Sequence, residues 1–273
     1  MSELMRIYSN VAAMQNMNSL AKISDAMGTH QMRLATGKKI NSAADDPAGY
    51  QLARSLETRK RGLDVALQNV SQAKNVLNVA EGGYQNVMDI LQTVKEKATQ
   101  AADYSLSSTQ RTSINNQVTA LVAEIDDIVN ETTFNGVSLV DGTYGGAFHT
   151  GEGATDELSI TLGDADSTAL SINAISLSSA NGASTAIATV STAIDTLSSR
   201  IQSVGQYKVR LSSKEQSLSV ASTNTEAIRS SVEDADFAKE QMEVMKLQIL
   251  QQTAISSFAA SNSAPQVVLS LFR

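Results

Sequence analysis

The sequence has no cysteine and no tryptophan, two prolines, and only five Phe and six Tyr among 273 residues. Without cysteine there is no disulfide framework, no thiolate metal site and no thiol nucleophile. The near absence of proline removes the strongest helix breaker, and the scarcity of rings removes the usual fillers of a compact mixed core. No window approaches about 18 continuous apolar residues. The opening MSELMRIYSNVAAMQNMNSL has no basic stretch followed by an apolar one, so neither a membrane span nor the general secretory route is expected.

The apolar 42% of the chain is mostly Ala, Leu, Ile, Val and Met, a composition that helices accept. The net charge of -7 argues against general nucleic-acid binding. Its distribution is uneven: residues 1–61 hold nine Lys/Arg against five Asp/Glu, whereas residues 141–183 hold six acids and no Lys or Arg. A basic start and an acidic middle belong in different surroundings.

The dominant pattern is an apolar stripe in alternating steps of four and three: Leu52, Leu56, Arg59, Leu63, Ala66, Val70, Ala73, Leu77, Ala80, Tyr84, Val87, Leu91, Val94, Ala98, Ala101. This is a coiled-coil seam by spacing. Shorter seams flank it, at Ala13, Met17, Leu20, Ser24, Met27, Gln31, Leu34 and at Ile114, Val118, Leu121, Ile125, Ile128. The second half repeats the theme from Ile187 to Leu218, interrupted by Lys208 and Glu215, and then through Ala235, Ala238, Met242, Met245 and Ile249. A second apolar face runs beside that last seam through Phe237, Val244, Leu247, Ile255 and Phe258.

Between the halves, residues 133–178 are rich in Gly, Asp, Ser and Thr, with Asn135-Gly136 and Asp141-Gly142 turn dipeptides and an alternating ELSITL. The expected fold is therefore mainly α: long coiled-coil-like helical rods from both chain ends, with a small β-hairpin-containing middle segment. A narrow terminal seam cannot bury its stripe alone, so each end needs a partner helix. Rods packed through Ala and other small residues can also slide in small steps between two packing states, an expectation that variants at Ala66, Ala73 or Ala80 would test.

Chemistry-bearing patterns are sparse. His30 and His149, the two histidines, have no Cys, His or carboxylate at metal-ligand spacing. GTYGGAFHTGEG has neither the order of a phosphate-binding loop nor the oxygen positions of a calcium loop, and reads as a turn-rich loop. No nucleophile, base and orienting group occur together. We expect no catalytic site, no metal site and no cofactor.

RLATGKKINSAADDPAG, residues 33–49, concentrates basic and acidic residues. Gly37 suits a left-handed helix end, Asp46-Pro47 an N-cap with proline at the first helical position, and Asp45 a negative charge near the positive helix start. Residues 37–46 are then a polar break between two seams.

Three stretches together resemble bacterial flagellin. The first is similar to the family's RLSSGxRINSAxDDAAG, at Arg33, Leu34, Gly37, Lys39, Ile40, Asn41, Ser42, Ala43, Asp45, Asp46, Ala48 and Gly49. EIDDIVNETTFNGVSLVDG resembles EIDRIAxxTxFNGxxLLxG, and the end from Val232 resembles IxDADxAxExxxxxKxxILxQAxxxxLxQANxxPQxxLxLL(R). The resemblance implies a structural subunit that polymerises with copies of itself into the flagellar filament, outside the cell.

On that basis the organisation is an N-terminal inner-core helix (1–34), a spoke (35–47), rod helices (48–132), a short β/loop outer segment (133–183), a C-terminal rod helix (184–228), and a C-terminal spoke with inner-core helix (229–273). Spoke contacts are expected from Arg33, Gly37, Lys39, Asn41, Asp45 and Asp46. The inner-core C-terminal helix is expected to use Asp234, Asp236, Phe237, Met242, Met245, Ile249, Leu250, Phe258, Leu269 and Leu271, and the rod end the turn Phe134, Asn135, Gly136. Other implied partners are hook-filament junction proteins, the filament cap, the flagellar export apparatus and, for many family members, an export chaperone; nucleic acid and membrane are not among them. A junction protein of the same architecture is the alternative role, and a coiled-coil effector of fixed oligomeric size the alternative class.

One departure matters. Where flagellins that stimulate the vertebrate innate immune receptor carry LQRxRELAxQ, this chain has LQTVKEKATQ. Leu91, Gln92, Glu96 and Gln100 remain, but Thr93 and Lys97 stand in place of an arginine and a leucine. Weak receptor recognition is expected.

Overall fold

The computed structural model describes residues 10–270, with side chains described through Ser263. Five helices and two hairpins follow one another: α1 (Val11–Thr36), α2 (Pro47–Ala101), α3 (Ser108–Glu131), β1 (Thr133–Phe134), β2 (Val137–Ser138), β3 (Gly145–His149), β4 (Glu157–Thr161), α4 (Ala180–Glu233) and α5 (Phe237–Ser270). The chain divides into two compact units, one of residues 1–58 and 224–273 and one of residues 59–223. The fold is the expected helical one with a small β-containing middle.

In the 59–223 unit, every expected seam position of α2 from Leu63 to Ala101 is buried. The stripe packs against α3, α4 and the loop that follows β4 in a single core. The polar interruptions of the α4 seam are ion pairs to α2: Lys208 Nζ donates to Glu81 at 2.5 Å and Lys74 Nζ to Glu215 at 2.8 Å. These pairs, with Ser222 donating to Asp64 at 2.9 Å, set α2 and α4 antiparallel. Arg59, the charged position of the α2 stripe, pairs with Glu152 at 2.9 Å.

Three details differ from the expected pattern. The α3 seam runs Ile114, Val118, Val122, Ile125, Val129 rather than through Leu121 and Ile128, which are only half-buried. A straight helix of 3.6 residues per turn drifts off a strict heptad. Second, Leu52 is exposed and Leu56 half-buried, so the stripe does not close at its start. Third, residues 145–149 of the glycine-rich stretch form strand β3, paired with β4 from Gly145↔Thr161 to His149↔Glu157. The strand exists because the alternating β4 buries Leu158 and Ile160 while offering its backbone to a neighbour.

The acidic middle also has an inner side. Leu162, Leu170, Ile172 and Leu177 are buried, and the acids shape turns: Asp164 accepts from Asp166 N at 2.9 Å and Asp156 from Gly153 N at 3.0 Å. Asp126 of α3 holds the loop by accepting from both the N–H and the hydroxyl of Ser167 at 2.8 Å. Tyr84 donates its hydroxyl to Gly163 O at 2.6 Å, and burial pushes the phenol pKa up to about 12. The tight β1–β2 turn places Asn135 and Gly136 both at positive φ, the backbone that an Asn-Gly pair supplies most easily.

Candidate assembly interface

The 1–58/224–273 unit is made from the two ends of the chain. α1 and α5 run antiparallel: Asn10 Nδ2 donates to Ser261 O at 2.9 Å, Asn16 Nδ2 to Ser261 Oγ at 2.7 Å, and Gln251 Nε2 to Ser24 Oγ at 3.4 Å. Towards the other end, His30 Nδ1 lies 2.5 Å from Glu240 Oε2, with Arg33 Nη1 3.8 Å from the other carboxylate oxygen. Glu240 is buried, so these two cationic-capable partners compensate a carboxylate placed inside the seam.

The seam itself differs from the expected one on both helices. On α1 the less exposed positions are Ala13, Asn16, Leu20, Ile23, Met27, His30 and Leu34. The anchors Ala13, Leu20, Met27 and Leu34 are as expected, but the alternate positions fall one residue earlier, where Asn16 and His30 can bond across. On α5 the packed positions are Glu240, Val244, Leu247, Gln251, Ala254 and Phe258. The expected seam of Ala238, Met242, Met245 and Ile249 lies on the opposite side and is exposed. Phe237, Leu250 and Ile255 are exposed as well. Both sides of α5 are apolar, so hydrophobicity alone could not choose between them; the polar partners offered by α1 did.

Between the helices lies the turn 37–46, and its local chemistry follows the sequence closely. Gly37 caps α1 at φ 70°, its N–H donating to Arg33 O at 2.9 Å. Asp46 caps α2 by accepting from Gly49 N at 3.0 Å, with Pro47 as the first helical residue. Asp45, expected to act on α2, turns back instead. It accepts from Ser42 N at 2.9 Å, Asn41 N at 3.1 Å and Ser42 Oγ at 3.1 Å. These bonds, the Ser42 backbone first, hold its carboxyl below the ordinary value. Asn41 Nδ2 in turn donates to Lys38 O at 3.0 Å.

Ile40 is the buried apolar anchor of this turn. Gly49 leaves room beneath it: a Cβ there would stand 2.6 Å from Ile40 Cδ1 and 2.5 Å from Asp46 Oδ2, so those side chains would have to shift. Beside the turn, Ser24, Thr29, Arg33, Asn41 and Asp45 line a polar cleft of about 500 Å³. Arg33 Nε is buried there without a hydrogen-bond partner among the described residues.

The turn is tied to the end of α4. Lys39 N donates to Glu233 O at 2.6 Å and Ala235 N to Gly37 O at 2.9 Å, around a Lys38↔Asp234 bridge. Glu233 is the hub of this joint and was not among the residues expected from sequence. Its buried carboxylate accepts from Lys38 Nζ at 2.6 Å and Arg229 Nη1 at 2.7 Å, with Arg54 Nη2 at 3.6 Å. Burial pushes its pKa up, but the Lys38 and Arg229 contacts outweigh that and hold it below the ordinary value. Asp236 then starts α5, accepting from Ala238 N at 3.0 Å and Lys239 N at 3.2 Å.

All six expected spoke residues therefore meet in one unit, although Lys39 contributes its backbone. Leu269 and Leu271 lie outside the residues whose side chains are described. In the other unit, Phe134, Asn135 and Gly136 form the β1–β2 turn, with Phe134 exposed. Leu91 is fully buried, whereas Gln92, Glu96 and Gln100 of the receptor-like segment are exposed.

The contacts of this unit hold helices together. Among the described residues no three His, Cys, Asp or Glu are grouped to hold a metal, and no helix is long and apolar enough to cross a membrane. Terminal helices paired along one seam, each with exposed apolar residues on its other side, make a helical protein with surface left to cover against a partner.

Comparison with known proteins makes this specific. Residues 7–145 match the bacterial flagellin N-terminal helical region and residues 187–272 the bacterial flagellin C-terminal helical region. The chain is 32% identical to a flagellin of Bacillus subtilis and 30% identical to Flagellin FlaB1 of Treponema pallidum, in each case over 98% of this chain and 100% of the relative. A crystal structure of Bacillus cereus flagellin aligns with a TM-score of 0.44 at 24% identity, covering 58% of this chain and 88% of that one. The chain belongs to the bacterial flagellin family. It is a structural subunit of the flagellar filament, the extracellular part of the flagellum, and not an enzyme.

Proposed function

We propose that polymerisation runs through the unit built from the chain ends, with α1 and α5 as inner-core helices, residues 35–47 and 229–236 as paired spokes, and the 133–183 segment facing outwards. The observation that carries this reading is the apolar surface that each helix of the α1–α5 pair leaves exposed away from its partner. Met14, Met17 and Met32 on α1, and Phe237, Met242, Met245, Ile249 and Ile255 on α5, are all exposed in the single chain. An apolar surface of this kind is a binding surface or an aggregation liability, and contacts repeated from copy to copy without closing generate a filament.

On the same reading, the export apparatus delivers the chain to a growing tip under the filament cap, junction proteins join the filament to the hook, and an export chaperone covers the α5 face beforehand. The receptor response is weak, because Leu91 is withdrawn and Thr93 and Lys97 replace the matching arginine and leucine. Seeded polymerisation followed by electron microscopy tests the central claim. Removing residues 235–273 is expected to abolish filaments while the α2–α4 core keeps its helix signal; filaments of unchanged form from the shortened chain would overturn it.

A further inference from the structure

The chain has nine methionines, and all but Met88 fall in residues 1–58 or 224–273. Five of those with described side chains are well exposed: Met14 at 63%, Met17 at 60%, Met32 at 57%, Met242 at 59% and Met245 at 53%. Met242 and Met245 lie one turn apart on α5 and continue into Ile249, on the side turned away from the α1 seam. The other two described methionines are sheltered. Met27 sits half-buried in that seam, and Met88 packs against the core of the other unit.

The missing residue types give this distribution its meaning. With no Cys and no Trp, the thioether is the side chain of this protein most readily oxidised by a peroxide. Methionine suits a face that must fit several neighbours, because it is unbranched and deformable. The sulfoxide is polar, so it opposes burial against an apolar neighbour.

We propose that Met14, Met17, Met32, Met242 and Met245 are oxidation sites that gate polymerisation: peroxide converts them in the free subunit and blocks its assembly, whereas the filament protects them. The sulfur lone pair attacks one peroxide oxygen, the O–O bond breaks and the sulfur–oxygen bond of the sulfoxide forms. Sulfur loses two electrons, and hydrogen peroxide is reduced to water, which carries both hydrogens. This inference rests on the reading of α1 and α5 as the polymer-forming helices.

The experiment treats free full-length subunits and preformed filaments with hydrogen peroxide, locates the sulfoxides by peptide mass spectrometry, and measures seeded polymerisation of the treated subunits. The five exposed positions should oxidise ahead of Met27 and Met88 in free subunits and resist in filaments. Subunits so modified should polymerise about tenfold more slowly or not at all, and a methionine sulfoxide reductase should restore them. The Met242→Leu/Met245→Leu variant, which keeps the face apolar, should lose a smaller fraction of its own untreated polymerisation rate on peroxide treatment than the wild type does. Normal polymerisation by subunits oxidised at all five sites overturns the proposal, even with the filament sites protected. Equal oxidation in filaments and free subunits overturns it together with the assembly reading beneath it.

Discussion

Glu233→Gln should loosen the joint between the two chain ends without unfolding the α2–α4 core. The carboxylate holds Lys38 and Arg229 through bonds of 2.6 and 2.7 Å, and Arg54 adds a longer contact. A hydrogen bond involving a charged group contributes about 1.5–3 kcal/mol, and breaking a buried pair costs about 3–5 kcal/mol. Lys38 and Arg229 keep part of their contact with water, and Arg229 keeps Glu226 at 2.6 Å. These two facts lower the expectation to about 2–3 kcal/mol, a local opening favoured by roughly 30- to 150-fold.

The reporters are built into the joint, since Lys39 N donates to Glu233 O and Ala235 N to Gly37 O. Their amide exchange should quicken by that factor in the variant, while amides of α2 around Leu77 stay unchanged. The pH dependence has a definite sign. Glu233 has a lowered folded pKa, so its contribution is full above the ordinary carboxyl value of 4.5 and fades as pH falls through the lower folded value. Wild type and variant should therefore converge in acid. Equal exchange at Lys39 and Ala235 at neutral pH would refute the hub as described.

Three further outcomes follow from the same geometry. Asp45→Ala removes the acceptor for Asn41 and Ser42, so circular dichroism of the free subunit should hold while seeded filament growth falls; unchanged growth would remove the turn from the assembly machinery. Gly49→Ala forces its new Cβ into Asp46 and Ile40, costing about 1–3 kcal/mol of terminal-unit stability in a thermal melt, and an unshifted melt would contradict the packing. Ala73→Leu overfills a position with no exposed surface inside the α2 core, so it should lower the melting temperature of the free subunit by about 2–8 °C. A stable variant that alters only filament shape would instead favour Ala73 as a sliding contact.

Legibility varied with how local the determinants were. Gly37, Asp46 and Pro47 announce their roles because a helix end and a helix start are decided within four residues. The stripe from Leu63 to Ala101 is legible because twelve successive positions repeat one spacing in a single helix. Asp45 was placed at the right break, but it bonds back into the turn at Asn41 and Ser42, since a carboxylate two residues before a helix start can turn either way. The side of α5 that packs was not legible, because Met242 and Val244 are equally apolar. Glu233 was invisible for another reason: Lys38 is 195 residues away from it, and no local pattern records such a meeting. The β3 strand hid behind its glycines, which only the pairing with β4 explains.

The pairing of α1 with α5 also imposes an order in time. Residues 11–36 meet their partner only once the chain has reached residue 240 or beyond, and α2 likewise waits for Glu215. At about 5–20 residues per second of synthesis, the first helix is without its companion for roughly 10–40 seconds. Contacts this distant in sequence also form slowly once available. The α2–α4 core can therefore close once residue 215 and its neighbours have emerged, whereas the terminal unit stays open until α5 is delivered and is the last part to fold.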